Sequence, residues 1–176
     1  MESAVPDDPD LGADAAGVDG HAFRAALGRF PTGVAVIGVH AAGVDHAMTA
    51  NSFASVSLTP PLVLVCVRRD ARTHGLILDA GRWTASVLAG DQEDTSRAFA
   101  TRGEIAAHLA TTVRHRGALT GAPLFDGALA EIECATVATH PGGDHTIVVG
   151  QVLAAAVREP ARPALIFHRG GYTAIG

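Results

Sequence analysis

The sequence has no lysine, two cysteines, one tryptophan and one tyrosine, and aromatic residues make up 5% of its 176 positions. Every fixed positive side chain is therefore an arginine, which excludes any chemistry that needs a lysine amine. Cys66 and Cys134 lie far apart, each in an apolar run, and form no C-x-x-C element. They are expected to be buried core thiols, with a redox pair as the outside reading. No apolar run reaches the length of about eighteen residues that a membrane span needs. The N-terminus lacks the basic-then-apolar pattern of a secretory signal, so a cytoplasmic location and no membrane partner are expected. The motifs G-x-G-x-x-G, G-x-x-x-x-G-K, G-x-S-x-G and H-E-x-x-H do not occur, so a Rossmann nucleotide site is not supported. There are nine histidines, but His40 and His46 flank a hairpin turn and His108 and His115 are seven apart. Neither spacing fits a standard zinc pattern, so no metal is expected.

What is present is enough for one sizeable core: 48% of residues are apolar and 18% charged, in a chain of ordinary single-domain length. Residues 1–20 carry six of the eighteen acids and no arginine. Their Asp, Ala, Gly and Pro content predicts a disordered or loosely docked acidic tail ahead of one domain over residues 21–176. The remaining twelve acids balance thirteen arginines, which offers no broad basic surface and argues against nucleic acid as a partner.

Phe23, Ala26, Leu27 and Phe30 recur at helical spacing, and Pro31, Thr32 and Gly33 end that helix. Val34 to Val39 reads as a strand, Gly43 to His46 as a turn and Ala47 to Val56 as a returning strand, which makes a hairpin. Further strands are expected at Leu62–Val67, Trp83–Ala89, Leu129–Ala138, His145–Ala155 and Ala164–His168. Within Leu129–Ala138, Ile132 and Cys134 would face one way and Glu131 and Glu133 the other, the alternation of a half-exposed antiparallel strand. Helices are expected at Thr73–Ala80, Gln92–Ala100 and Glu104–Val113. Helices inserted irregularly between antiparallel strands predict a mainly β fold, a closed or split β-barrel with peripheral helices.

The stretch Met48 to Val67, MTANSFASVSLTPPLVLVCV, couples a polar cluster to an unbroken apolar strand through a Pro-Pro turn. Thr49, Asn51 and Ser52 put three short hydrogen-bonding side chains within four residues, and the arginine-rich turn Arg68, Arg69, Arg72, Thr73 follows the strand. If Thr73 caps the helix that follows, its hydroxyl and the free N–H groups of the first turn converge where the helix dipole favours an anion, with Arg68 or Arg72 as the cation. The same residues also read as an ordinary N-cap with solvated arginines. A second cluster runs from Asp91, a candidate cap, through Ser96, Arg97 and Phe99, and equally describes an amphipathic surface helix. A third is Gly142, Gly143, Asp144, His145, Thr146, a turn opening a long strand, where His145 also reads as a turn histidine bonding its neighbours.

These clusters, in this order from about Phe23 to the C-terminus, resemble the short-chain flavin reductase family, the reductase components of two-component flavin monooxygenases. The resemblance implies an FMN-binding split barrel, with FMN or FAD held along Met48, Thr49, Ala50, Asn51 and Ser52, at Cys66 and Val67, and by Arg68, Arg72 and Thr73. Relatives usually carry Ser-x-Thr where this chain has Ala71, Arg72, Thr73, so one hydroxyl is missing. Ser86, Val87 and Leu88 match a strand, often Asn-Val-Leu, whose backbone would face the pyrimidine edge of the flavin. Ser96, Arg97 and Phe99 match the Ser-Arg-x-Phe-Ala element, with Arg97 toward the phosphate and Phe99 closing the pocket. His145 matches the histidine beside the nicotinamide of NADH, or less favourably NADPH, and Tyr172 borders the same pocket or packs on a partner subunit. The implied protein is a homodimeric NAD(P)H:flavin oxidoreductase that supplies reduced flavin to a separate monooxygenase. A flavin carrier without turnover and, more remotely, a haem-binding or oxidase relative are the alternatives.

Overall fold

In the computed structural model, residues 17–101, 105–158 and 161–176 are described; most of the acidic tail and Glu104, the expected start of a helix, lie outside them. The elements run α1 (Gly20–Leu27), β1 (Thr32–Gly33), β2 (Ala35–Ala41), β3 (Val44–Ala50), β4 (Ala54–Leu58), β5 (Pro61–Arg68), α2 (Thr73–Ala80) and β6 (Arg82–Val87). They continue through α3 (Glu93–Ala100), α4 (Ile105–Thr112), β7 (Val113–Arg116), β8 (Pro123–Phe125), β9 (Ala130–Gly142), β10 (His145–Val157), β11 (Ala164–His168) and β12 (Gly171–Ile175). Among the described residues no helix is long and apolar enough to cross a membrane.

Seven strands form one antiparallel sheet in the order β3-β2-β6-β9-β10-β5-β4. The sheet curls on itself, because Ile37 and Val39 of β2, Val65 and Val67 of β5, Trp83 of β6, Cys134 of β9 and Val148 of β10 share one core. Its edge strands do not pair with each other, and α2 lies across β2, β3 and β5 at the open seam with Ile77 fully buried. The barrel is thus split. Val34 and Val36 join Leu88, Phe99, Leu109, Phe125 and Leu165 in a second core outside it. The run Val34–Val39 is almost wholly apolar for that reason: both of its faces are buried. The small sheet β1-β11-β12 joins the large one where Leu165 N–H donates to Leu88 O at 3.1 Å.

Three expectations need correction. Ala47–Val56 is not one strand, because β3 ends at Ala50 and β4 starts at Ala54 on the opposite edge of the sheet. The crossing segment is pinned to β5 by Ser52, whose hydroxyl donates to Cys66 O at 3.1 Å and accepts from Cys66 N–H at 3.2 Å. A side chain thus takes the place of a ladder partner. The hairpin turn is Ala42–Gly43, both at positive φ (50° and 77°), the pattern of a type I′ turn, and Val44 to His46 already belong to β3. Glu131 and Glu133 do not face water; both are buried. Arg158 Nε donates to Glu131 at 2.7 Å and His115 Nε2 lies 2.8 Å from it, while Glu133 accepts from the N–H groups of Leu119 and Thr120 and from the Thr120 hydroxyl. Alternation of charge and apolar residues marks two faces of a strand, but paired carboxylates can be buried on either.

Candidate functional site

The breaks and ends of these elements meet in one cleft of about 320 Å³. Its walls come from Ala47 to Ser52 at the end of β3, Cys66 and Arg68 at the end of β5, Asp70 to Thr73 leading into α2, Phe99 to Thr101 at the end of α3, and His145 at the start of β10. Antiparallel register places His145 opposite Arg68 and Thr146 opposite Val67. The two turns are locked together where Arg69 N–H donates to Asp144 O at 3.0 Å. His74 Nε2 and Thr146 Oγ1, 2.9 Å apart, tie the first turn of α2 to the same strand.

Thr73 is the first helical residue of α2, not its cap: its hydroxyl donates to Met48 Sδ at 3.1 Å, and the cap residue Arg72 makes no side-chain capping bond. In the first turn, His74 N–H donates to Ala71 O at 3.0 Å, and Arg72 caps none of the N–H groups with its side chain, so the anion-favouring end of α2 stands beside the cleft without a side-chain cap. Arg68 pairs with Asp70 at 2.8 Å. Arg72 is exposed on the cleft wall and has no ion-pair partner among the described residues. Ala71 lines the cleft without a hydroxyl.

The other predicted residues divide. Asp91 does not cap α3; it pairs with Arg162, and Gln92 occupies the cap, its Oε1 accepting from Ala89 N–H at 2.9 Å. Phe99 is buried, lines the cleft and packs edge-to-face on Phe125 at 5.1 Å. Arg97 turns away to Glu93, 2.6 Å distant, and covers the Tyr172 ring at 4.9 Å. Ser96 and Tyr172 bond each other at 2.9 Å behind the wall, and Ser96 O accepts the Thr49 hydroxyl at 2.6 Å, so this pair supports Thr49 without lining the cleft. Val67 points into the barrel core. Ser86, Val87 and Leu88 are not brought to the cleft: Ser86 and Val87 pair with both β2 and β9, Leu88 bonds Val34 and Leu165, and the Ser86 hydroxyl accepts from Phe125 N–H at 3.2 Å. Ala47, Asp70, Ala71, Ala100 and Thr101 line the cleft unpredicted; their only signal is adjacency in sequence to predicted residues.

His145 Nδ1 lies 2.7 Å from Asp144 Oδ1. That hydrogen bond, followed by the charge of His145, holds the Asp144 carboxyl below its ordinary range. An ionised carboxylate fixes Nδ1 as the donor and leaves Nε2 for a ligand. The thiols differ: burial raises Cys66, which stands on the cleft wall and not in the core, while burial and then the Glu133 charge push Cys134 up to about 12.

Comparison with known proteins adds to this geometry. The family described as flavin reductase like domain matches residues 27–176. An NADH-dependent FAD reductase of Streptomyces globisporus is 43% identical over 152 residues, covering 85% of this chain and 82% of its own. A reductase subunit of a flavin-dependent monooxygenase from Rhodococcus jostii is 35% identical, covering 98% of this chain and 86% of its own. The solved structure of an NADH:FAD oxidoreductase from Streptomyces globisporus C-1027, in complex with NAD and FAD fragments, superposes with a TM-score of 0.84 at 40% identity, covering 90% of this chain and 93% of that one.

Proposed function

The chain belongs to the flavin reductase like domain family, and from that premise we propose that it uses NADH to reduce FMN or FAD and hands the reduced flavin to a separate monooxygenase. The observation that carries this reading is one cleft whose walls join a helix N-terminus without a side-chain cap and an arginine with no ion-pair partner among the described residues to an apolar surface and a histidine. The residues fit a flavin nucleotide chemically. Arg72 and the first turn of α2 suit its phosphate, Thr49 and Asn51 offer short polar groups, and Met48, Ala50 and Phe99 offer a surface for its ring. Bound there, flavin supplies the hydride acceptor, and the protein's task is to orient the two rings and exclude water. His145, held by Asp144, is the group that positions the nicotinamide. Ser96 and Tyr172 act behind Thr49, fixing its hydroxyl.

The same proposal includes a homodimer in the cytoplasm, where NADH is the available reductant. The dimer is supported by α1 and the turn after it: Phe23 and Leu27 of α1 are 56% and 53% exposed, Phe30 beyond it is 70% exposed, and α1 buries no residue. NADH oxidation that accelerates only when flavin is added, by a species of twice the chain mass in light scattering, is the expected result. Flavin binding without NADH oxidation would replace the reductase by a carrier.

Arg72→Ala is expected to weaken flavin binding about tenfold, a loss of roughly 1.4 kcal/mol that discounts a charged hydrogen bond for solvent exposure. Quenching of flavin fluorescence by the protein measures it. An unchanged Kd would move the phosphate away from α2.

A further inference from the structure

Two sulfur-bearing residues line the cleft, Met48 and Cys66. Met48 is one of two methionines in the sequence and the one among the described residues. It is half-buried, its side chain packs against the barrel core, and its Sδ accepts the hydroxyl of the buried Thr73 at 3.1 Å. Thr73 opens α2, the helix whose first turn and Arg72 form the anion-favouring end of the cleft. The thioether therefore stands between the cleft and the position of that helix.

We propose that Met48 is an oxidation site at which hydrogen peroxide, formed when reduced flavin meets dioxygen, makes a sulfoxide that weakens flavin binding. The inference rests on the flavin reading above. Dioxygen takes two electrons and two protons from reduced flavin, becoming hydrogen peroxide and leaving the flavin oxidised. One peroxide oxygen then bonds to Met48 Sδ as the O–O bond breaks. The sulfur loses two electrons, and the other oxygen departs as water with both protons. A flexible apolar group becomes a polar one carrying an extra atom. The added oxygen must be housed between the Thr73 hydroxyl and the core, which displaces the first turn of α2 and Arg72 with it. A reductase that makes reduced flavin faster than its partner consumes it would thereby lose flavin affinity.

Cys66 is the competing sulfur. Burial raises the pKa of its thiol, so the thiolate that would attack a peroxide oxygen is scarce at neutral pH, whereas oxidation of a thioether needs no ionisation. Two variants separate the sulfurs: Met48→Leu conserves volume and removes the thioether, and Cys66→Ser removes the thiol. Each is compared with its own untreated state.

The experiment treats the protein with hydrogen peroxide, removes the excess with catalase, locates added oxygen by peptide mass spectrometry, and measures FAD affinity by fluorescence quenching. Expected are one oxygen on Met48 in both the natural protein and Cys66→Ser, an affinity lowered on the order of tenfold, and recovery with methionine sulfoxide reductases. Met48→Leu keeps its own affinity after peroxide, and bound FAD slows the modification. Turnover of NADH and FAD in air, without an oxygenase, yields the same product and catalase suppresses it. Met48 left intact, Met48 oxidised without loss of affinity, or equal loss in Met48→Leu would each overturn the inference alone. An untreated protein that binds no flavin would overturn the flavin reading and this inference with it.

Discussion

His145→Ala is expected to lower kcat/KM for NADH on the order of tenfold to a hundredfold, with a much smaller change in flavin Kd. The imidazole starts β10, opposite Arg68, and its Nδ1 is held 2.7 Å from Asp144. It is therefore fixed at two points, by strand pairing and by a carboxylate. A ring held this way orients a second ring without moving a proton, so its loss costs alignment more than binding of the first cofactor. Asp144→Asn retains the imidazole but removes the charge that fixes its tautomer, and should give a partial loss of the same kind. Steady-state kinetics with flavin saturating, alongside fluorescence titration, separate the two effects. Equal losses in turnover and in flavin affinity would make His145 a flavin contact and leave the nicotinamide unplaced.

Gly38→Ala is expected to destabilise the fold by about 3 kcal/mol, the upper part of the range for forcing one methyl into a packed interior. A Cβ at Gly38 would run into Pro123 O and would lie 2.6 Å from Thr84 Oγ1. Neither neighbour can yield cheaply, because Thr84 is fully buried and donates to that same Pro123 carbonyl at 2.6 Å. The contact lies where β2 and β6 meet β8, so relief would part the barrel from its outer layer. A fall in Tm of about 6–12 °C corresponds to this loss in a chain of this size. Gly75→Ala is the internal comparison, since a Cβ there meets nothing within 4 Å, and alanine favours a helix interior over glycine by about 1 kcal/mol. Equal melting temperatures for the two variants would refute the packing account.

Much of the barrel was legible because its signals are local. β2 and β5 are apolar runs of strand length, and α2 spans Thr73–Ala80 as its pattern predicts. The misreadings arise where the deciding partner is distant in sequence. The break between β3 and β4 depends on Ser52 meeting Cys66, and the Thr73 hydroxyl is taken by Met48, 25 positions earlier. Asp91 finds Arg162, leaving the α3 cap to Gln92. The buried faces of Glu131 and Glu133 depend on Arg158, His115 and the Leu119–Thr120 turn, none of which periodicity can anticipate. The two-residue β1 and the three-residue β8 are too short to carry an alternation. Site residues followed the same division. Arg72, Phe99 and His145 reach the cleft from the ends of elements placed correctly along the chain, and Thr49 and Asn51 reach it at the break that the expected strand Ala47–Val56 did not contain, whereas Arg97 is drawn off by Glu93 and Tyr172. The strand Ser86–Leu88 is occupied on both edges by the sheet itself.

The central claim is that this cleft brings NADH and flavin together for hydride transfer. Its most direct test is anaerobic mixing of NADH with FAD in the presence of the protein, following the visible absorbance of the flavin. Bleaching of the flavin in step with NADH consumption, fast with the protein and slow without it, is the predicted result. Flavin that binds the protein yet keeps its colour when NADH is added would contradict the claim.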